Sequence, residues 1–194
     1  MKGCRPLTDP EIALVSRSFG GTYAARDRAL FLLGIKTGFR IAELLSIRVG
    51  DVLQHGRLVD QLTVRRAAMK QKREGRTVPL HPDAKAALAT WLMTLRQLTP
   101  MTLQTYVFRS RKGDNRPISP VQAWRILRET CETNELTGKL GTHCMRKTFA
   151  NKVYHQLGYD LVRTKRALGH QNIANTERYL SFAEEDITAA ILAI

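Results

Sequence analysis

The sequence predicts an α+β fold, mainly helical, with a small three-stranded antiparallel sheet. Three observations predict it. Apolar residues recur at helical spacing along most of the chain, as in Ile41, Leu44 and Leu45, or Ala84, Leu88, Trp91, Leu92 and Leu95. A small polar residue followed closely by proline stands before two such stretches, at Thr8-Asp9-Pro10 and at Ser119-Pro120. Only residues 51–80 switch to the shorter period of strands. Helices set apart from one small antiparallel sheet make the class α+β.

The elements follow in order. Thr8 or Asp9 caps a short helix with Pro10 in its first turn. Ala24, Leu30, Leu33 and Ile35 mark a buried helix, and Gly38 is its left-handed stop. A second helix starts near Arg40, with Ile41, Leu44 and Leu45 facing inward. Leu62-Thr63-Val64 and Thr77-Val78-Pro79-Leu80 read as strands, and Asp51-Val52-Leu53 as a weaker third. The polar, glycine-bearing MKQKREGR between the two stronger strands is a hairpin connection. Pro82 opens a long helix to about Leu98. Arg109 to Arg116 is a basic turn with Gly113-Asp114-Asn115 at its tip. Ser119 caps a helix carrying Val121, Trp124, Ile126 and Leu127. Thr142 caps the next, which holds His143, Arg146, Phe149 and Val153. Tyr159 or Asp160 begins another helix, ended by Gly169, and Asn175 caps a short one through Tyr179. A tail from Ala183 is apolar at Ile187, Ile191 and Ile194, a helical stripe.

Composition narrows the function. With 194 residues the chain is expected to form one domain, 1–194, and 43% apolar residues can build a real core. Lys and Arg number 31 against 17 Asp and Glu, a formal charge of +14. Such an excess favours a polyanionic partner, with nucleic acid the leading candidate. Cys4, Cys131 and Cys144 are odd in number and lack a CxxC pair. That argues against a disulfide framework or structural zinc and fits a reducing compartment. The N-terminus lacks the apolar run of a signal peptide, and Ala29 to Ile35 is too short to cross a bilayer. The expectation is an intracellular protein with no membrane partner.

The residues that carry chemistry each have a plain alternative. His143 and Arg146 share one face of the helix begun by Thr142, where free N–H groups would favour an anion, but HxxR alone is a weak signal. Arg40 and Glu43 are spaced so that the carboxylate can aim the guanidinium at phosphate, yet such a pair is usually only a surface ion pair. His170 follows Leu168-Gly169 and could simply cap a helix dipole, and Tyr179 could be a half-buried aromatic. Their joint order is more specific. Arg, His, Arg, His and Tyr in this sequence suit the cleavage of a phosphodiester by a tyrosine.

Four words in order resemble the tyrosine recombinase (phage integrase) family. They are Thr37-Gly38-Phe39-Arg40-Ile41-Ala42-Glu43-Leu44-Leu45, with Val49-Gly50-Asp51-Val52 behind it; Thr142-His143-Cys144-Met145-Arg146-Lys147-Thr148-Phe149-Ala150; Leu168-Gly169-His170-Gln171-Asn172-Ile173; and Thr176-Glu177-Arg178-Tyr179. The opening, Leu7-Thr8-Asp9-Pro10-Glu11-Ile12, is also similar to the start of that family's catalytic domain, so the likeness runs over about residues 7–182. The resemblance implies a site-specific recombinase that cuts and rejoins duplex DNA through a 3′-phosphotyrosyl intermediate, with no cofactor, metal or ATP. In that scheme Tyr179 attacks phosphorus, Arg40 and Arg146 grip the nonbridging oxygens, and His170 adds a hydrogen bond. His143 manages the tyrosine proton, Glu43 supports the site, and a hairpin lysine protonates the leaving 5′-oxygen. Lys70 fits that lysine better than Lys72, from its distance to Arg76-Thr77-Val78-Pro79-Leu80.

Further basic residues are candidates for duplex contact: Arg65, Arg66, Lys72, Arg73, Arg76, Lys112 and Lys147, with Arg163 and Lys165 beyond them. Lys147 stands where many relatives have a second histidine. Only Met1 to Pro6 precedes the likeness, so the separate DNA-binding domain common in the family is expected to be absent. The chain is then either naturally short, as the family's fimbrial-switch invertases are, or an excised catalytic domain. The implied assembly is a tetramer on paired DNA sites, from a monomer in solution, with the apolar tail packed on a neighbouring protomer or on its own core. Three rivals stand beside it: a type IB topoisomerase with similar chemistry, a DNA-binding regulator on the same fold without catalysis, and an RNA- or ribosome-binding basic module, which explains the charge but not the tyrosine set.

Overall fold

The computed structural model describes residues 4–64, 75–177, 179–180 and 191–192. The chain divides into two compact units, Met1–Phe149 and Ala150–Ile194. In the first unit, helix α1 (Asp9–Ser18) starts at Thr8, whose hydroxyl accepts the Glu11 N–H while the Glu11 carboxylate accepts the Thr8 N–H at 2.8 Å. This reciprocal capping satisfies two orphan donors of the first turn. Arg5 adds a two-pronged grip on the same carboxylate, at 2.5 and 2.8 Å.

Helix α2 (Ala24–Thr37) is the centre of the unit. Residues Ala29 to Ile35 are all buried, on every face of the helix. A helix apolar all round needs neighbours all round. Here they are α1, α3 (Ile41–Leu45), α5 (Pro82–Leu98) and α6 (Pro120–Thr133). Trp91 of α5 is fully buried, and its indole N–H donates to the Val107 carbonyl at 2.6 Å, so the large ring leaves no orphan donor. Ser119 caps α6 by accepting the Gln122 N–H at 3.0 Å.

The strands differ in arrangement from the single three-stranded sheet expected. The described strands form two separate antiparallel pairs: β1 (Leu53–Gln54) with β2 (Arg57–Leu58), and β3 (Gln61–Val64) with β4 (Arg76–Pro79). His55 and Gly56, both at positive φ (49° and 76°), turn the chain back at once, so the first strand pairs with its own return. Its expected beginning is the helical turn α4 (Val49–Val52) instead. The Asp51 carboxylate accepts the Arg48 N–H at 2.8 Å, and the Val49 and Gly50 N–H groups donate to Thr105 and Leu103 carbonyls, both at 2.8 Å. These partners leave residues 49–51 no ladder to join.

Helix α7 (Thr142–Gln156) contains the division between the units. It starts one residue before the position expected: Thr142 is its first helical residue rather than its cap, because the Cys144 N–H already bonds the Gly141 carbonyl at 2.8 Å. In the second unit Asp160 caps α8 (Leu161–Leu168) by accepting the Arg163 N–H at 2.9 Å, and Gly169 stops it at φ 63°. The short α9 (Ala174–Glu177) also begins early. Asn172, not Asn175, supplies its capping oxygen, accepting the Ala174 N–H at 3.0 Å. Among the described residues no helix is long and apolar enough to cross a membrane. Most of the apolar tail lies outside the described residues.

Candidate active site

In the first unit the site is built on the turn Thr37–Arg40. Gly38 stops α2 in the left-handed region (φ 61°), its N–H bonded to the Gly34 carbonyl at 2.9 Å. The last carbonyls of a helix lack intrahelical partners and carry the negative end of its dipole. Two arginines answer them. Arg76 Nη2 donates to the Thr37 carbonyl, and Arg146 Nη1 donates to the Gly38 carbonyl. The Arg76 guanidinium also lies 4.6 Å from the centre of the Phe39 ring and 5.8 Å from that of Phe149. Arg40 follows at the head of α3. Glu43 accepts its backbone N–H at 2.7 Å and its Nη1 at 3.2 Å. The anticipated Arg40–Glu43 pair is therefore a carboxylate that fixes both the backbone and the fork of one arginine. Arg146 is 1% exposed, whereas the Arg40 side chain is 39% exposed and open to an incoming anion.

Glycine makes the approach of α7 to α2 close enough for this. A Cβ on Gly34 would lie 2.6 Å from the Met145 sulfur, and one on Gly38 would strike the Phe149 ring. Met145 and Phe149 flank Arg146 along α7, so the two contacts set where its guanidinium lies. His143, in the first turn of α7, is exposed.

In the second unit, Gly169 delivers His170, whose N–H bonds the Lys165 carbonyl at 3.1 Å. The His170 ring is buried, and Nδ1 shares a hydrogen bond of 3.0 Å with the Thr176 hydroxyl. Tyr179 follows α9, with its N–H on the Thr176 carbonyl at 2.9 Å and its own carbonyl accepting Asn151 Nδ2 at 2.9 Å. The His170 and Tyr179 rings are 5.3 Å apart, tilted by 41°. One residue, Thr176, thus bears on both: its hydroxyl orients the imidazole, and its backbone anchors the tyrosine.

The expected residues divide accordingly. Arg40, Glu43 and Arg146 meet at one turn, and His170 and Tyr179 meet in the second unit. Lys70, with Arg65, Arg66, Lys72 and Arg73, lies outside the described residues. Of the other cations expected along DNA, Lys112 is exposed, Arg76 is turned onto the Thr37 carbonyl, and Lys147 is 8% exposed. Thr176 and Asn151 were not anticipated. Thr176 is visible only as a small polar residue inside the Thr176-Glu177-Arg178-Tyr179 word, and nothing marks Asn151. Burial pushes the thiols of Cys131 and Cys144 up to about 11 and about 12, so neither offers thiolate at neutral pH. Among the described residues no group of His, Cys, Asp or Glu could hold a metal ion.

Residues 11–186 match the phage integrase family. The chain belongs to that family. It is similar to the probable integrase/recombinase YoeC of Bacillus subtilis, 31% identical over 165 residues, covering 85% of this chain and 82% of that protein. The type 1 fimbriae regulatory protein FimE of Escherichia coli K12 is 31% identical over 186 residues, covering 90% of this chain and 84% of FimE. The tyrosine recombinase XerD of Staphylococcus saprophyticus is 28% identical over 163 residues, but this chain spans only 52% of its length. Among solved structures, XerA recombinase superposes with a TM-score of 0.76 at 22% identity, over all of this chain and 66% of that one. XerH bound to its difH substrate before cleavage gives 0.72 at 24%, over 96% of this chain and 53% of that one. The fold is that of the tyrosine recombinase catalytic domain, mainly helical with small antiparallel sheets.

Proposed function

We propose that this phage integrase family member is a site-specific recombinase that breaks and rejoins duplex DNA through Tyr179. The observation that carries the reading is the Thr37–Arg40 turn, where two motif arginines from distant parts of the chain serve one short stretch of backbone. Two guanidiniums fixed a few residues apart suit a phosphate whose nonbridging oxygens gain negative charge in the transition state. Each is aimed before substrate arrives, Arg40 by Glu43 and Arg146 by the Gly38 carbonyl, so little reorganisation is left for the reaction.

In the proposed reaction the Tyr179 hydroxyl attacks phosphorus, a Tyr–O–P bond forms, and the bond from phosphorus to the 5′-oxygen breaks. A phenol with a pKa of about 10 is ionised to only about one part in a thousand at neutral pH, so its proton needs an acceptor. His143 has that role. Lys70 gives a proton to the departing 5′-oxygen, which is otherwise a poor leaving group. His170, its Nδ1 engaged by Thr176, turns Nε2 to the phosphate. Reversal by a different 5′-hydroxyl rejoins strands without ATP, because the energy of the broken ester is kept in the tyrosyl phosphodiester. The partner is double-stranded DNA inside the cell, and paired sites are held by four copies of the protein.

The test is a nicked suicide duplex carrying a target site, incubated with the protein and run on a denaturing gel. The expected result is a covalent adduct that disappears in Tyr179→Phe. Specific binding with no adduct would make the protein a regulator on this fold. Relaxation of any supercoiled plasmid, without sequence dependence, would make it a type IB topoisomerase.

A further inference from the structure

The β3–β4 hairpin contributes to the phosphate clamp through a residue with no part in the chemistry above. We infer that Arg76 is a positioning residue for Arg40 and Arg146: it holds the Thr37–Arg40 turn in the shape that aims both guanidiniums at the scissile phosphate. The inference rests on the recombinase reading and names a further residue of that same centre.

Three contacts carry it. Arg76 Nη2 donates to the carbonyl of Thr37, the residue before the carbonyl that Arg146 uses. Its guanidinium lies over the ring of Phe39, 4.6 Å from the centroid, and Phe39 is the residue between Gly38 and Arg40. Phe149 of α7, one helical turn from Arg146, flanks the same guanidinium at 5.8 Å. One planar cation thus touches the turn at two points and reaches the helix that bears the second arginine. Only an arginine fits this place. Its guanidinium lies over the rings while one N–H donates to a carbonyl, and its charge opposes the negative end of the α2 dipole. A lysine offers the charge and three donors on a single nitrogen, without the flat face or the fork.

Place in the sheet adds a reason. Arg76 faces Val64 in the last described pair of the β3–β4 ladder, where the hairpin meets the connection carrying Lys70. Anchoring this point to the turn ties the hairpin to the clamp. A cation that follows DNA presents its guanidinium outward, and this one is half-buried against a carbonyl and an aromatic ring.

The experiment compares adduct formation at saturating DNA for wild type, Arg76→Met and Arg76→Lys on two substrates. One has an ordinary scissile phosphate. The other has a methylphosphonate there, which lacks the negative charge and so asks less of the clamp. On the ordinary phosphate Arg76→Met should be slower by about tenfold or more, and Arg76→Lys by less, while DNA affinity changes by under about threefold. On the methylphosphonate the gap to wild type should shrink to within about threefold. If Arg76→Met does not fold, Arg76→Lys carries the same comparison. Weaker binding with a shallower salt slope and an unchanged saturated rate would overturn the inference and make Arg76 a phosphate contact. Equal slowing on both substrates would overturn it as general damage. A gap abolished by a 5′-thio leaving group, which needs no proton, would overturn it in favour of action through the hairpin lysine. Absence of any adduct from wild type would bring down the recombinase reading and this one with it.

Discussion

A guanidinium serves a phosphate only if its fork is held in place, and in this protein the holding is done by backbone. Arg146 has been taken almost wholly out of solvent and answers the carbonyl of a glycine. Arg146→Lys keeps the charge but not the fork, so it cannot bond the Gly38 carbonyl and a phosphate in the same geometry. Its rate of adduct formation should fall by about a hundredfold or more with the fold intact, measured by single-turnover gels beside circular dichroism. Thr176 matters in a similar way for His170. Thr176→Val removes the hydroxyl on Nδ1 and keeps the shape, and Thr176→Ser restores it. The valine variant should lose about tenfold in rate and about 1 kcal/mol in stability, the serine variant much less of either. Equal activity of all three would separate Thr176 from the chemistry.

Among the elements, the end of α2 is the most constrained. Gly38 sits at φ 61°, and any Cβ there meets Phe149. Gly38→Ala should cost about 1–3 kcal/mol in urea unfolding, from strain and from displacement of the Phe149 ring. It should also cost more activity than stability alone explains, because the Gly38 carbonyl is the anchor of Arg146. The start of α1 gives a pH dependence. The Arg5 hydrogen bonds, aided by the Thr8 N–H and against the effect of burial, hold the Glu11 carboxyl down at about 2. A carboxylate with a depressed folded-state pKa contributes stability in full above the unfolded value of about 4.3 and loses it as pH falls through the folded value. Wild type should therefore lose about 1 kcal/mol of this contribution between pH 4 and pH 2, a modest figure because Arg5 is 32% exposed. Glu11→Gln should be less stable at pH 5 and should lack this part of the acid dependence.

For the whole molecule the charge of +14 sets how binding responds to salt. If about six phosphates are neutralised, raising salt from 50 to 200 mM should weaken DNA binding about a thousandfold. A loss under about tenfold, read by fluorescence anisotropy, would mean that few phosphates are engaged.

Helices were legible in the sequence because their ends are local. Thr8, Pro82, Ser119, Asp160, Gly38 and Gly169 each act within a few residues of themselves, and all stand where expected. The strands were less legible, since pairing depends on a turn such as His55-Gly56 and on which distant carbonyls claim an N–H first. The family was legible in motif words whose chemistry needs those side chains, and residues 11–186 match that family. The contacts of Thr176 and of the Thr37 and Gly38 carbonyls were decided by the tertiary structure alone. Every residue carries a carbonyl, and only the fold determines which ones are left at the end of a helix, turned toward a buried arginine.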